Sequence, residues 1–277
     1  MRPSGYTLDP DDPRAPSVEE WEAMSPSARR VAVAALPSEI PREGAPEGDT
    51  HRIPKERALQ ALREFFRRRK RRVYLSSELP VYYPGERVFG PDVLAVLDVD
   101  PGPRDSWVVS KEGRGLDFVL EVLVHNHPKK DLEDNVTRYA SLGIAEYFVF
   151  EPLRRRIHGY RLTEGETSYR AIVPQEGRWA SGVLGLDLAM ELDRVRFFVG
   201  SAPLPEAEEL IVRLNDMLDD LSTRDADLVA RLRDAEDRAE GEKARAEGEK
   251  ARAEGEKARA DRLAQRLRAL GEDPDRD

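Results

Sequence analysis

The stretch Asp117–Pro152, "DFVLEVLVHNHPKKDLEDNVTRYASLGIAEYFVFEP", contains a strand pattern, a helix pattern and a second strand pattern in succession. "DFVLEVLV" and "EYFVFEP" are apolar runs of strand length. The segment between them ends at Gly143, and glycine is the residue most often found just after a helix C-terminus. This order is typical of a βαβ unit, so the sequence predicts an α/β fold with a mixed β-sheet flanked by helices. The apolar runs that follow are expected to form antiparallel hairpins at the end of the same sheet.

Glu121 lies in the middle of the first apolar run. Removing an ionised carboxylate from water costs several kcal/mol unless a cation or a metal ion compensates its charge. By strand alternation Glu121 shares a face with Val119 and Leu123. Two explanations remain open from the spacing: an ordinary buried ion pair with an arginine, or a ligand of a metal ion.

Asp92 stands at the head of another apolar run, "DVLAVLDV". Two neighbouring strands of one sheet can bring Asp92 and Glu121 to the same place. Carboxylate oxygens are ligands that Mg²⁺ accepts, with water completing its coordination shell. A metal ion there would activate water and stabilise charge on a phosphodiester.

Composition and charge divide the 277 residues into three parts. Residues 1–50 are rich in proline and acids and are expected to be a polar, partly disordered arm, with a capping box at Ser17 to Glu20 and one short helix. Residues 51–202 carry the strand patterns of the globular domain. Residues 203–277 are expected to form a helical or coiled-coil segment that includes three "AEGEKAR" repeats, Ala239–Arg259.

The chain has no cysteine and four histidines, which excludes disulfides and makes a structural zinc site improbable. Because neither a signal peptide nor a membrane-spanning run is recognisable, we expect a soluble, cytoplasmic protein without a membrane partner. The net charge of -9 argues against a protein that coats nucleic acid. The cations from Arg67 to Arg72 follow a predicted helix, where they either interact with the helix dipole in solvent or contact phosphate.

The C-terminal segment carries leucine and methionine at three- and four-residue intervals, a pattern typical of a coiled-coil seam: Leu210, Leu214, Met217, Leu221 and Leu228. The seam is interrupted in the repeats, where glutamates occupy the corresponding positions. Two interpretations stay open: a solvated helix without a partner, or a homo-oligomer formed through this helix.

Pro91 with Asp92, Glu121 on a strand, and the segment "YASLGIAEYFVFEP" together resemble the Uma family, described as putative restriction endonucleases, within the nuclease superfamily named for its PD and D/E-x-K motifs. The resemblance runs from Pro46 to Leu188. It implies a restriction-endonuclease-like core and hydrolysis of DNA phosphodiester bonds, with a water activated by Mg²⁺, or by Mn²⁺, as the nucleophile. DNA is the partner that it implies.

On this resemblance Asp92 and Glu121 are catalytic residues that act as the metal ligands. The lysine that usually follows the second acid by two residues is Leu123 here, and the alternative lysine position on the next helix is Asn135. Lys130, at the start of that helix, is the expected catalytic substitute. A lysine at such a site orients the attacking water and offsets transition-state charge.

Other residues are weaker candidates for this site. An acid of the first helix, Glu56 or Glu64, could complete the resembled site. His51 is expected to make local hydrogen bonds. His125 and His127 are interpreted as a polar strand end, with a catalytic or substrate role as the alternative.

Three functions are therefore compatible with the sequence. The first is an active nuclease. The second is a binding module that kept the nuclease fold and lost turnover, as Leu123 and Asn135 would suggest. The third is an interaction protein assembled through its C-terminal helix.

Overall fold

The computed structural model describes residues 6–40, 48–124, 129–192 and 194–270. The helices among these residues are α1 (Val18–Ala23), α2 (Pro26–Ala35), α3 (Asp49–Arg68), α4 (Val109–Glu112), α5 (Asn135–Ser141) and α6 (Ala207–Ala269), with a π-helical turn at Lys130–Asp134. The strands are β1 (Val73–Ser76), β2 (Val81–Tyr82), β3 (Val93–Leu97), β4 (Trp107–Val108), β5 (Phe118–Val122), β6 (Glu146–Glu151), β7 (Arg156–Leu162), β8 (Tyr169–Ala171), β9 (Arg178–Ser181), β10 (Leu186–Glu191), β11 (Arg194–Val199) and β12 (Ala202–Pro203).

The central sheet has six strands in the order β1-β3-β5-β6-β7-β8. Strands β5 and β6 run parallel, and the other neighbouring pairs of this sheet run antiparallel. The π-helical turn and α5 form the connection between the two parallel strands, as the βαβ pattern predicts, and the helix ends before Gly143, which has a positive φ of 74°. The predicted α/β class and mixed sheet are confirmed.

Strand β5 is buried on both faces because two apolar clusters enclose it. Phe118, Leu120 and Val122 pack with residues of α3 on one face. Val119 and Leu123 pack with residues of α5 and β6 on the other. Glu121 alternates with the first set and therefore points to the same face as Val119 and Leu123, as predicted.

The expectation that all the later strands extend the central sheet is only partly correct. Strands β7 and β8 extend the central sheet as antiparallel neighbours, but β9 to β12 form a separate antiparallel sheet in the order β12-β11-β10-β9. Leu184, Leu186, Leu188 and Phe197 of this second sheet region are buried in the same cluster as the α3 side of β5. The second sheet therefore covers part of the central sheet instead of lengthening it.

The N-terminal residues form more structure than expected. The capping box is present, because Ser17 accepts from the backbone of Glu20 and the Glu20 side chain accepts from the Ser17 backbone. Two helices, α1 and α2, stand where one was predicted. Ala15 and Leu36 are buried in a small cluster with Tyr82 of β2. The described part of residues 1–50 thus packs within the first compact unit, which extends to Glu209.

The second unit begins at Leu210 and contains most of α6, a helix of 63 residues. The seam residues Leu214, Met217 and Leu221 expose more than half of their surface along this helix. The "AEGEKAR" repeats are helical throughout. No helix in the described part of the chain is both long and apolar enough to cross a membrane.

We expect Leu62→Ala to destabilise the first unit by about 2–5 kcal/mol, because Leu62 is fully buried between α3 and the sheet and its truncation leaves a cavity. Urea denaturation monitored by tryptophan fluorescence measures this change. The matched control is Leu153→Ala, whose side chain is largely exposed and whose loss should cost less than about 0.5 kcal/mol. Equal effects of the two substitutions would contradict the assigned packing of α3.

Candidate active site

The sheet brings the two predicted metal ligands together. Asp92 directly precedes β3, and β3 pairs antiparallel with β5 so that Val93 lies opposite Leu120. The backbone N–H of Asp92 donates to Glu121 Oε2 at 3.2 Å, and the backbone N–H of Val122 donates to Asp92 Oδ2 at 2.7 Å. The structure therefore places the Asp92 and Glu121 carboxylates side by side, as the strand patterns suggested.

Glu121 is buried beside apolar side chains and lies near two other carboxylates, those of Asp92 and Asp131. Its side chain is buried, and its Oε1 accepts a hydrogen bond of 2.8 Å from the Tyr139 hydroxyl of α5. Burial raises the pKa of Glu121 well above its ordinary value, and the nearby charges of Asp92 and Asp131 raise it further. Among the described residues no arginine or lysine forms an ion pair with Glu121. The simple explanation of an arginine partner is thus unsupported.

The π-helical turn contributes a third buried carboxylate. Asp131 accepts a hydrogen bond from the Asn135 side chain at 3.0 Å, and its backbone carbonyl accepts one from the Tyr147 hydroxyl at 2.8 Å. Burial raises the pKa of Asp131. Asn135 is itself buried, so its amide is used to hold Asp131 in place. Single-turn π segments inside helices are frequent at functional sites.

Lys130 lies at the start of this turn, and its side chain is exposed. Burial dominates the pKa values of Glu121 and Asp131, while the positive charge of Lys130 lowers both. The predicted substitute lysine is therefore within electrostatic reach of the carboxylates. No direct contact holds it against them in the described structure.

Two residues of α3 complete the site, and sequence reasoning did not assign either to it. His51 Nε2 lies 3.0 Å from Asp92 Oδ2, a contact that spans 41 residues, so the side chain reaches beyond the local hydrogen bonding that was expected for it. Lys55 Nζ lies 3.6 Å from Asp92 Oδ1 and also pairs with Glu78. The available signal was helical spacing, because His51, Lys55 and Leu59 recur every four residues on one stripe of the helix.

The other two helix candidates, Glu56 and Glu64 of α3, lie away from this site. Glu56 pairs with Arg52 on the surface, and Glu64 pairs with Arg67 and Arg68. Leu123 packs in the apolar cluster beside the site. Among the cations from Arg67 to Arg72, Arg67 and Arg68 pair with Glu64 and Arg71 pairs with Asp98. His125 and His127 lie outside the described residues.

The donor set suits a hard cation. Within residues 6–40, 48–124, 129–192 and 194–270, no group of three or more acidic or histidine side chains is arranged to hold a metal ion. Mg²⁺ sites in nucleic-acid enzymes commonly use one or two carboxylates, with water and substrate phosphate as the remaining ligands. The neighbouring carboxylates of Asp92 and Glu121 would supply the protein ligands of such a site.

Glu121→Gln is expected to raise the melting temperature in metal-free buffer at pH 8 and to change it little near pH 4. The raised pKa means that the folded state keeps a proton on Glu121 that the unfolded state releases above its ordinary pKa of 4.5. Folding stability is therefore lost as the pH rises through that window, and Gln, which does not titrate, escapes the loss. Thermal unfolding across this pH range, with a chelator present, measures the difference.

The control for this pH series is Glu164→Gln, whose side chain is exposed. It should leave the pH profile of the melting temperature unchanged. A gap between Glu121→Gln and the unsubstituted protein that does not widen with rising pH would show that Glu121 is not held in an environment that opposes its ionisation.

Comparison with known proteins identifies the family to which the chain belongs. The family model of Uma2, described as a putative restriction endonuclease, matches residues 18–193. A solved structure with a similar chain is that of a putative nuclease belonging to DUF820 from Anabaena variabilis, with 13% sequence identity and a TM-score of 0.43, covering 56% of this chain and 84% of that one. No curated protein matches the chain. Because the family model spans more than half of the sequence, the chain belongs to the Uma2 family.

Proposed function

We propose that this protein is a metal-dependent endonuclease that hydrolyses phosphodiester bonds of DNA, with Asp92 and Glu121 as the ligands of Mg²⁺ or Mn²⁺. The observation that carries the proposal is the buried carboxylate pair on β3 and β5, in which each group hydrogen-bonds the backbone or side chains around the other. Membership of a family of nuclease-like proteins supports the same conclusion. A divalent cation bound there would act as a Lewis acid and would activate water for attack on phosphorus.

The residues around the pair support distinct roles. Tyr139 fixes the Glu121 carboxylate, and the Val122 N–H fixes that of Asp92. One oxygen of each carboxylate is thereby held in place, which helps to preorganise the ligand set. Lys130 is exposed beside Glu121 and Asp131, where a DNA phosphate can reach it, so we assign it to offset charge on the substrate.

DNA as the substrate requires a local basic surface, because the net charge of the chain is -9. The surface that we propose is the exposed run of cations from Arg67 to Arg72 at the end of α3. Arg67 and Arg68 are partly neutralised by Glu64. Ion pairs between exposed groups contribute little, so these arginines can exchange Glu64 for phosphate.

Two other functions keep a specific observation in their favour. Asn135 holds Asp131 where the resembled family pattern has a lysine, which favours a binding module without turnover. The exposed leucines of α6 favour a protein that assembles through this helix. Metal-dependent cleavage separates the nuclease from the binding module, and the mass in solution tests the assembly.

The purified protein is expected to nick supercoiled DNA and cut linear DNA with Mg²⁺ or Mn²⁺, and a chelator should abolish the activity. Asp92→Asn and Glu121→Gln should each lower the rate by more than about 100-fold, since loss of outer-shell partners of metal ligands alone costs about 10- to 100-fold. The variant Glu164→Gln serves as the control and should cleave normally. Agarose gels of time courses provide the measurement. Folded protein that binds Mn²⁺ and cuts neither substrate would instead support the binding module.

We further propose that α6 joins two copies of the chain through its leucine seam. The triple variant Leu214→Asp, Leu221→Asp and Leu228→Asp should halve the mass measured by light scattering, because charges in the seam of a paired helix are buried at a cost. The control triple variant places the same aspartates one residue later, at Asn215, Ser222 and Val229. An unchanged mass for the seam variant would assign α6 to a solvated helix without a partner.

A further inference from the structure

Lys55 is the buried lysine of α3, with 3% of its surface exposed. It projects from the same stripe of the helix as Leu59 and Leu62, which are core residues. Burying an ammonium group is costly, and it persists only where carboxylates pair with it. Its position is therefore fixed by charge rather than by apolar packing.

The ammonium group of Lys55 lies between Asp92 of the candidate site and the carboxylate of Glu78. Its Nζ contacts Glu78 and lies 3.6 Å from Asp92 Oδ1. Glu78 lies between β1 and β2, and 31% of its side-chain surface is exposed. Its backbone N–H donates to the Pro91 carbonyl at 2.8 Å, which ties this loop to the residue before Asp92.

Both carboxylate oxygens of Asp92 are thereby engaged from one helix. His51 contacts Oδ2 at 3.0 Å, and one turn later Lys55 faces Oδ1. The Val122 N–H also donates to Oδ2 at 2.7 Å. Glu121, by contrast, makes its contacts with Tyr139 and the Asp92 backbone. Lys55 thus places a positive charge directly beside Asp92.

We infer that Lys55 supplies the active-site lysine that positions 123 and 135 lack, as a positioning residue that fixes the Asp92 carboxylate and tunes its affinity for a divalent cation. Glu78 holds the ammonium in place and offsets part of its charge. The inference rests on the proposed function, because it assigns Asp92 to the metal. Lys130, which is exposed near Glu121 and Asp131, then serves the substrate and not the metal ligand.

Lys55 and Glu78 should shift metal affinity in opposite directions, because they carry opposite charges beside the same ligand. Lys55→Met removes a positive charge next to Asp92, so Mn²⁺ should bind about tenfold more tightly, as expected for one unit charge close to a divalent ion. Glu78→Gln removes a negative charge that offsets the Lys55 ammonium, so Mn²⁺ should bind several-fold more weakly. A role limited to folding would lower both affinities.

The rate of DNA cleavage tells whether Lys55 orients Asp92 or changes only the electrostatic attraction for the metal ion. At saturating Mn²⁺, Lys55→Met should cleave DNA about 100-fold more slowly despite its tighter metal binding, because Asp92 loses the group that orients it. Lys55→Arg should recover part of that rate. Glu78→Gln should cleave at nearly the normal rate once Mn²⁺ saturates the site.

The experiment is calorimetric titration of the full chain with Mn²⁺ alone, followed by cleavage kinetics at saturating Mn²⁺. Lys111→Met, on α4 with an exposed side chain, is the matched control and should change neither quantity. If Lys55→Met fails to fold, Glu78→Gln, at a partly exposed position, still tests the predicted weakening.

Each outcome has one meaning. Normal cleavage by Lys55→Met, or an unchanged Mn²⁺ affinity in Glu78→Gln, overturns the inference while leaving the nuclease intact. Opposite affinity shifts without any DNA cleavage by the unsubstituted protein support the role of Lys55 and overturn the proposed function. Absence of Mn²⁺ binding to the unsubstituted protein overturns both.

Discussion

The burial of β5 on both of its faces is the constraint on which the rest of the structure depends. A strand covered on one side by α3 and on the other by α5 has no solvated face to which an acid could turn. Glu121 therefore stays inside, where the lower dielectric strengthens its interactions with Asp92 and with the Tyr139 hydroxyl. An ionised carboxylate is costly to keep out of water, so burial raises the pKa of Glu121 well above its ordinary value.

Much of the fold was predictable because it follows from the local spacing of apolar, capping and glycine residues. The βαβ unit, the end of its helix before Gly143 and the capping box at Ser17 each depend on residues close together in sequence. The separate sheet of β9 to β12 was not predictable in the same way. Antiparallel hairpins look alike whether they extend one sheet or begin another, and packing against the central core decides between these arrangements.

The candidate site shows the same division. Asp92 and Glu121 could be paired from strand patterns, since neighbouring strands meet in register. Lys55 and His51 could not be assigned, because the contact with Asp92 depends on how α3 crosses the sheet. A charged residue on the apolar stripe of a helix was nevertheless a usable signal, for the same reason that Glu121 was: a buried charge requires a partner.

The position of a lysine in such a site is less constrained than that of the carboxylates. The two acids here lie on or next to neighbouring strands, where a backbone N–H group holds each of them. A lysine side chain is long and flexible, so its ammonium can reach the same point from a strand, from the following helix or from a helix packed across the sheet. In this chain Leu123 fills an apolar cluster and Asn135 holds Asp131, so both earlier positions are committed to structure. Helix α3 also faces Asp92, and in the role that we infer for it, its buried Lys55 supplies positive charge there.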